Sequence, residues 1–95
     1  MDIKRALRNA RDTGKITIGF RETIKTAKKG KVKLAIVARN CPEKDVEELR
    51  KLKVPVYVYQ GSNAEFGAAS GKPYTISTMG IVDPGKSDIL ALKGE

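Results

Sequence analysis

The chain has no histidine, no tryptophan and a single cysteine, Cys41. Without His the commonest general base is missing, and a His/Cys zinc site has no ligand set. A lone Cys forms no internal disulfide, which suits a reducing compartment. Three Tyr and two Phe are too few for a broad platform on which single-stranded bases stack. Long apolar runs are missing too. The run Leu34–Ala38 falls far short of the ~20 residues of a membrane span. The opening Met-Asp-Ile-Lys-Arg has no apolar stretch of the signal-peptide kind. These absences lead us to expect a cytoplasmic protein with no membrane segment, no cofactor and no metal.

Acids are scarce where bases crowd. Residues 1–53 hold 16 of the 19 Lys and Arg against 7 acids, a balance of +9, while residues 54–95 hold 3 against 4. Between Lys4 and Lys33, eleven basic side chains face only Asp12 and Glu22. Such a field points to a polyanion, because surface Lys and Arg displace counterions condensed on phosphates. Nucleic acid leads that class, ahead of acidic membrane surfaces and acidic proteins. The plain alternative is a generically basic, solvated face.

Ninety-five residues with 40% apolar content suit one domain, 1–95, with a compact core. Asp2 can cap a first helix in which Ile3, Leu7 and Ala10 recur at helical spacing, with Gly14 as a left-handed stop. Ile16-Thr17-Ile18 is a short β-branched strand ended by Gly19. A helix over 20–29 turns Phe20, Ile24 and Ala27 inward. The strand over 32–38 is apolar throughout from Leu34, as expected when helices cover both faces. Asn40-Cys41-Pro42 starts a third helix that carries Val46, Leu49 and Leu52 inward. A strand over 56–59 follows, then a capping box of Ser62 and Glu65 for a fourth helix to Ser70. Strands over 76–82 and 89–92 flank the turn Asp83-Pro84-Gly85. The order αβαβαβαββ places the chain in the α/β class: a mainly parallel sheet between helices, closed by an antiparallel hairpin.

Candidate sites have bland readings beside them. Glu43, Asp45, Glu47 and Glu48 lie on one short helix among Lys44, Arg50 and Lys51, the look of an ion-paired, solvated face. No enzyme is expected. The segment Gly67-Ala-Ala-Ser-Gly71-Lys72-Pro73 has one residue too few between its glycines for a phosphate loop, and Pro where Ser or Thr should stand. Close helix packing at Gly67 and a helix stop at Gly71 explain it. The junction at Gly19 is stronger. There a strand turns sharply into a helix whose free N–H groups form an anion site. Arg21 and Lys25 share one face of that helix, which Lys28 and Lys29 extend. The alternative is an ordinary turn with solvated cations. Asn40 either caps the third helix or reads a base edge. Tyr74 either stacks on an unpaired base or packs over the rim.

Five segments occur in an order with a family likeness: Thr17-Ile-Gly-Phe-Arg-Glu-Thr-Ile-Lys25, Lys33-Leu-Ala-Ile-Val-Ala-Arg-Asn40, Val54-Pro-Val-Tyr57, Gly71-Lys-Pro-Tyr-Thr75 and Val82-Asp-Pro-Gly85. Across essentially the whole chain they resemble the thirty-e family of archaeal and eukaryotic large-subunit ribosomal proteins. That family belongs to the kink-turn-binding superfamily typified by ribosomal protein seven-Ae. The resemblance implies a three-layer α/β/α sandwich with a small mixed sheet. It implies a structural role in the large ribosomal subunit, binding a sharply bent rRNA internal loop. The RNA set carried over is Thr17, Ile18, Gly19, Phe20, Arg21, Glu22 and Lys25 on one side, with Asn40, Tyr74, Thr75 and Ile76. Lys15, Lys28 and Lys29 add phosphate attraction. Asn40 would contact a base at sheared G·A pairs, and Tyr74 and Thr75 would cover bases exposed by the bend. Glu22 departs from the family pattern of Ser or Thr, and either reads a guanine or bonds the helix start. Neighbouring ribosomal proteins are implied as further partners, with a monomer when free. A guide-RNA modification particle is the alternative setting.

Overall fold

The computed structural model describes residues 2–92. Helix α1 (Ile3–Thr13) starts where the Asp2 side chain accepts from the Arg5 amide at 3.3 Å, and it buries Ala6, Leu7 and Ala10. Then follow β1 (Lys15–Ile18), α2 (Phe20–Lys28), β2 (Leu34–Ala38), α3 (Glu43–Lys51), β3 (Val56–Tyr59), α4 (Asn63–Ala69) and β4 (Thr78–Asp83). A 3-10 helix over Ile89–Ala91 closes the described chain. The strands form one mixed sheet in the order β1-β4-β2-β3. Strands β2 and β3 run parallel through the α3 crossover, and β4 is antiparallel to both of its neighbours.

Each face of the sheet carries its own core. On one, Leu7 of α1 and Phe66 of α4 pack with Leu34, Ile36, Met79 and Ile81. On the other, Ala27 of α2 and Leu49 of α3 cover Ala35, Val37 and Val56. All five residues of β2 are therefore buried, as their unbroken apolar run required. Tyr59 and Phe66 add a stacked ring pair, with centroids 5.1 Å apart. The result is the α/β/α layering expected from the element order.

Some readings change. The residues over 89–92 form a 3-10 helix in place of the expected last strand. Strand β4 is central, with β1 on one side and β2 on the other, so it has no free edge for a hairpin partner. For the same reason the sheet is not mainly parallel. The final segment packs on α1 instead. The Lys86 amide donates to Thr13 Oγ1 at 2.9 Å, Ser87 Oγ donates to the Ala6 carbonyl at 2.6 Å, and Ile89 is sealed into the core. Gly14 is no left-handed stop either, since its backbone is extended (φ −117°, ψ −155°). It is glycine for space: a Cβ there would run into the carbonyl oxygen of Asp83.

Candidate nucleic-acid interface

Topology gathers most of the candidates. Strands β1, β2 and β3 end, and β4 begins, at one edge of the sheet, where Ile18 pairs with Met79 and Val37 with Thr78. Leaving that edge are the Gly19 junction, the Asn40 loop, the start of α4 and the loop that carries Tyr74. Backbone bonds tie them together. The Gly19 amide donates to Thr78 O, Ala38 to Ser77 O and Arg39 to Gly61 O, each at 2.9 Å, and Ile76 to Asn63 O at 3.0 Å.

Gly19 is the N-cap of α2 at φ +97°, a conformation side-chain-bearing residues rarely adopt. No side chain caps this helix, and a Cβ added at Gly19 would meet nothing within 4 Å. Its first amides are therefore left without a side-chain partner at the positive end of the helix. The junction is pinned from beneath: Thr17 Oγ1 lies 2.9 Å from Thr23 Oγ1, which donates to the Gly19 carbonyl at 2.8 Å. Thr17 thus serves the turn. Ile18 and Phe20 are half-buried against the two cores, and Arg21, Glu22 and Lys25 are exposed. Among the described residues the Glu22 carboxylate has no hydrogen-bond or ion-pair partner, so no bond to the helix start is present.

Asn40 caps a helix, but not α3, whose N-cap Pro42 makes no side-chain bond. Its Oδ1 accepts from the Asn63 amide at 2.9 Å, and its Nδ2 lies 3.4 Å from Asn63 Oδ1. Asn63 opens α4, so Asn40 satisfies one orphan amide of that helix. Ser62 and Glu65 satisfy two more reciprocally, at 3.2 and 3.1 Å. Hydrogen bonds from the Ser62 backbone and side chain hold the Glu65 carboxyl below its ordinary range. Asn40 itself stays exposed, with one N–H and one lone pair of its amide still unused.

Tyr74 is 50% exposed, the one large apolar side chain so placed among the described residues. Its loop is anchored twice. The Tyr74 carbonyl presses so close on Gly67 that any Cβ there would collide with it. Arg11 of α1 donates through Nη1 to the Ser70 carbonyl at 2.7 Å, and Gly71 (φ +76°) leaves room for the guanidinium. A 2.9 Å bond to Asp12 orients that guanidinium, raising the Arg11 pKa and lowering that of Asp12. Thr75 is exposed beside Tyr74, whereas Ile76 lies in the core and supports the loop from behind.

The remaining cations lie apart. Lys15 opens β1 opposite Asp83, at the far end of the strand. Lys28 ends α2 and Lys29 follows as its C-cap, roughly 14–15 Å from Gly19 at the helical rise. Lys28 still continues the Arg21–Lys25 stripe of one helix face. Cys41, next to Asn40, is partly buried with Sγ 3.6 Å from Thr78 Oγ1, and burial pushes its thiol pKa up. Among the described residues no cluster of Cys, Asp and Glu could hold a metal ion, and no helix is long and apolar enough to cross a membrane. Sequence reasoning missed Asn63 and Arg11, whose partners lie 23 and 59 residues away and leave no local signature.

An α/β/α sandwich with a basic, hydrogen-bond-rich rim at one sheet edge defines the class. The chain belongs to the ribosomal protein L7Ae/L30e/S12e/Gadd45 family, whose sequence model matches residues 1–91. It is 42% identical over 95 residues to the large ribosomal subunit protein eL30 of Methanothrix thermoacetophila, covering all of this chain and 92% of that one. The eL30 of Methanothermobacter thermautotrophicus is 44% identical, over 99% of this chain and 100% of its own. The eL30 of Methanobrevibacter smithii is 45% identical over 95% of each.

Proposed function

We propose that this chain is a single-domain structural constituent of the large ribosomal subunit that binds a kink-turn in rRNA and holds it bent. One observation carries the reading: the open, uncapped start of α2 shares a rim with an anchored, exposed Asn40 and an exposed Tyr74. The amides beyond Gly19, with Arg21 and Lys25, take phosphates of the kinked strand. Asn40 offers its spare donor and acceptor to a base edge, and Glu22 accepts from a guanine. Tyr74 and Thr75 cover bases that the bend unstacks, since a kinked loop displays edges that regular A-form RNA hides. There is no chemical step. The protein binds the bent conformer best and so raises its population. Its full-length relatives named as large-subunit proteins favour a ribosomal setting in the cytoplasm, among neighbouring ribosomal proteins.

The test compares a kink-turn RNA with a straight duplex of equal length across several salt concentrations. Tighter binding to the kink-turn at every salt is expected, and equal affinities would remove the specific reading. The RNA that co-purifies from cells decides between ribosome and modification particle.

A further inference from the structure

The rim uses only part of the positive charge. Lys4, Arg8 and Arg11 recur at i, i+4 and i+7 along α1, so they share the flank of that helix that faces α4. The shallow groove between the two helices, about 290 Å³, has Lys4 and Arg8 on one wall and Glu65, Ala68 and Ala69 on the other, with Tyr59 also lining it. Lys72 extends the stripe past Arg11: with Arg8, it acts electrostatically on Asp12. Neither Lys4, Arg8 nor Lys72 makes an ion pair with a described residue. Asp12 is paired with Arg11, and Glu65, held by the Ser62 amide, is the one carboxylate lining the groove, against the cations Lys4 and Arg8.

This groove lies on the α1/α4 face of the sheet, whereas the Arg21–Lys25 stripe lies on the α2/α3 face. One short run of phosphates cannot lie on both. We infer that the α1–α4 groove is a second RNA-backbone site, so that the protein bridges its first RNA element to another, regular RNA strand. Side chains one helical turn apart stand about 5–6 Å from each other, close to the spacing of neighbouring phosphates on one strand. The alanine wall lets a sugar–phosphate backbone approach without a clash. An acidic protein fits less well. Protein interfaces are depleted of Lys and centre on apolar anchors, and this groove sets two cations, with the single acid Glu65, around two alanines and the rim of Tyr59. The inference goes beyond the kink-turn reading and does not need it.

The test uses the Lys4→Ala/Arg8→Ala double variant. Both side chains are exposed and alanine suits a helix, so its melting temperature should match the parent's. With the rim saturated by kink-turn RNA, the parent should still capture a labelled straight duplex, giving a ternary complex on a native gel. The double variant should keep kink-turn affinity, lose the ternary complex, and show a duplex salt slope smaller by about one unit per cation removed. Equal duplex capture and equal slopes for both proteins would overturn the RNA assignment and leave an acidic protein as the occupant. Kink-turn affinity falling in step with duplex capture would also overturn it, because the groove would then belong to the first site. Failure of the kink-turn reading would show differently, as equal binding of kinked and straight RNA by the parent. The variant's duplex slope would still report on the groove.

Discussion

The side-chain oxygen of Asn40 accepts a 2.9 Å hydrogen bond from the backbone amide of Asn63, joining the end of β2 to the first turn of α4. One residue therefore holds a helix start while presenting its remaining amide valences to solvent. The two duties can be separated. Asn40→Ala should lower stability by about 0.5–2 kcal/mol, as loss of a cap does, and weaken kink-turn binding by about 1–3 kcal/mol. Asn40→Asp keeps the acceptor and loses the donor, so its melting temperature should stay near the parent's while RNA binding falls. Full RNA affinity in the Asp variant would leave Asn40 a purely structural residue.

What could be read from sequence, and what could not, follows the range of the interaction. Asp2, the Ser62–Glu65 box and the tight packing at Gly67 are set by neighbours within a few residues or by size alone, and the structure bears them out. The Asn40–Asn63 cap, the Arg11 anchor and the central place of β4 depend on where distant segments dock. That last placement also removed the expected final strand. Gly14 shows the same divide: its presence was legible, but its reason, the approach of Asp83, was not. At the rim, Gly19 and the basic face of α2 could be located in the sequence, whereas the docking of the Tyr74 loop on α4 at Gly67 could not.

Gly19→Ala isolates backbone conformation from packing. Nothing lies within 4 Å of the added Cβ, so the cost is confined to the backbone. Its φ of +97° and ψ of 151° suit essentially glycine alone, and the cost should be about 1–3 kcal/mol by chemical denaturation. The methyl would project into the space above the α2 amides. A kink-turn affinity that drops further than the mild destabilisation explains is the expected result. An affinity equal to the parent's would mean that RNA does not approach that helix end.

Acid should loosen the start of α4 in a defined way. The Glu65 carboxyl is held below its ordinary value of 4.5 by its bonds from Ser62. A carboxyl whose pKa is lower folded than unfolded adds stability above the unfolded value and loses it as pH falls through the folded one. Protection factors of the α4 amides, corrected for the intrinsic pH dependence of exchange, should therefore fall below about pH 4.5, and Glu65→Gln should flatten that dependence. A variant with the parent's pH profile would show that the box contributes nothing through its charge.

The Tyr74 loop makes the sharpest contrast between stability and binding. Tyr74 is half exposed and makes no side-chain hydrogen bond with the described residues, so Tyr74→Ala should move stability by no more than about 0.5 kcal/mol. If the ring stacks on an unpaired base, the same change should weaken kink-turn binding by about 1–3 kcal/mol, and Tyr74→Phe should retain it. Arg11→Ala reaches the loop from behind. It removes the 2.7 Å bond to the Ser70 carbonyl, freeing the connector that starts at Gly71. Its effect on RNA should therefore be large in the presence of Tyr74 and small in the Tyr74→Ala background. Additive losses in the double variant would mean that Arg11 meets RNA directly and does not act by positioning the ring.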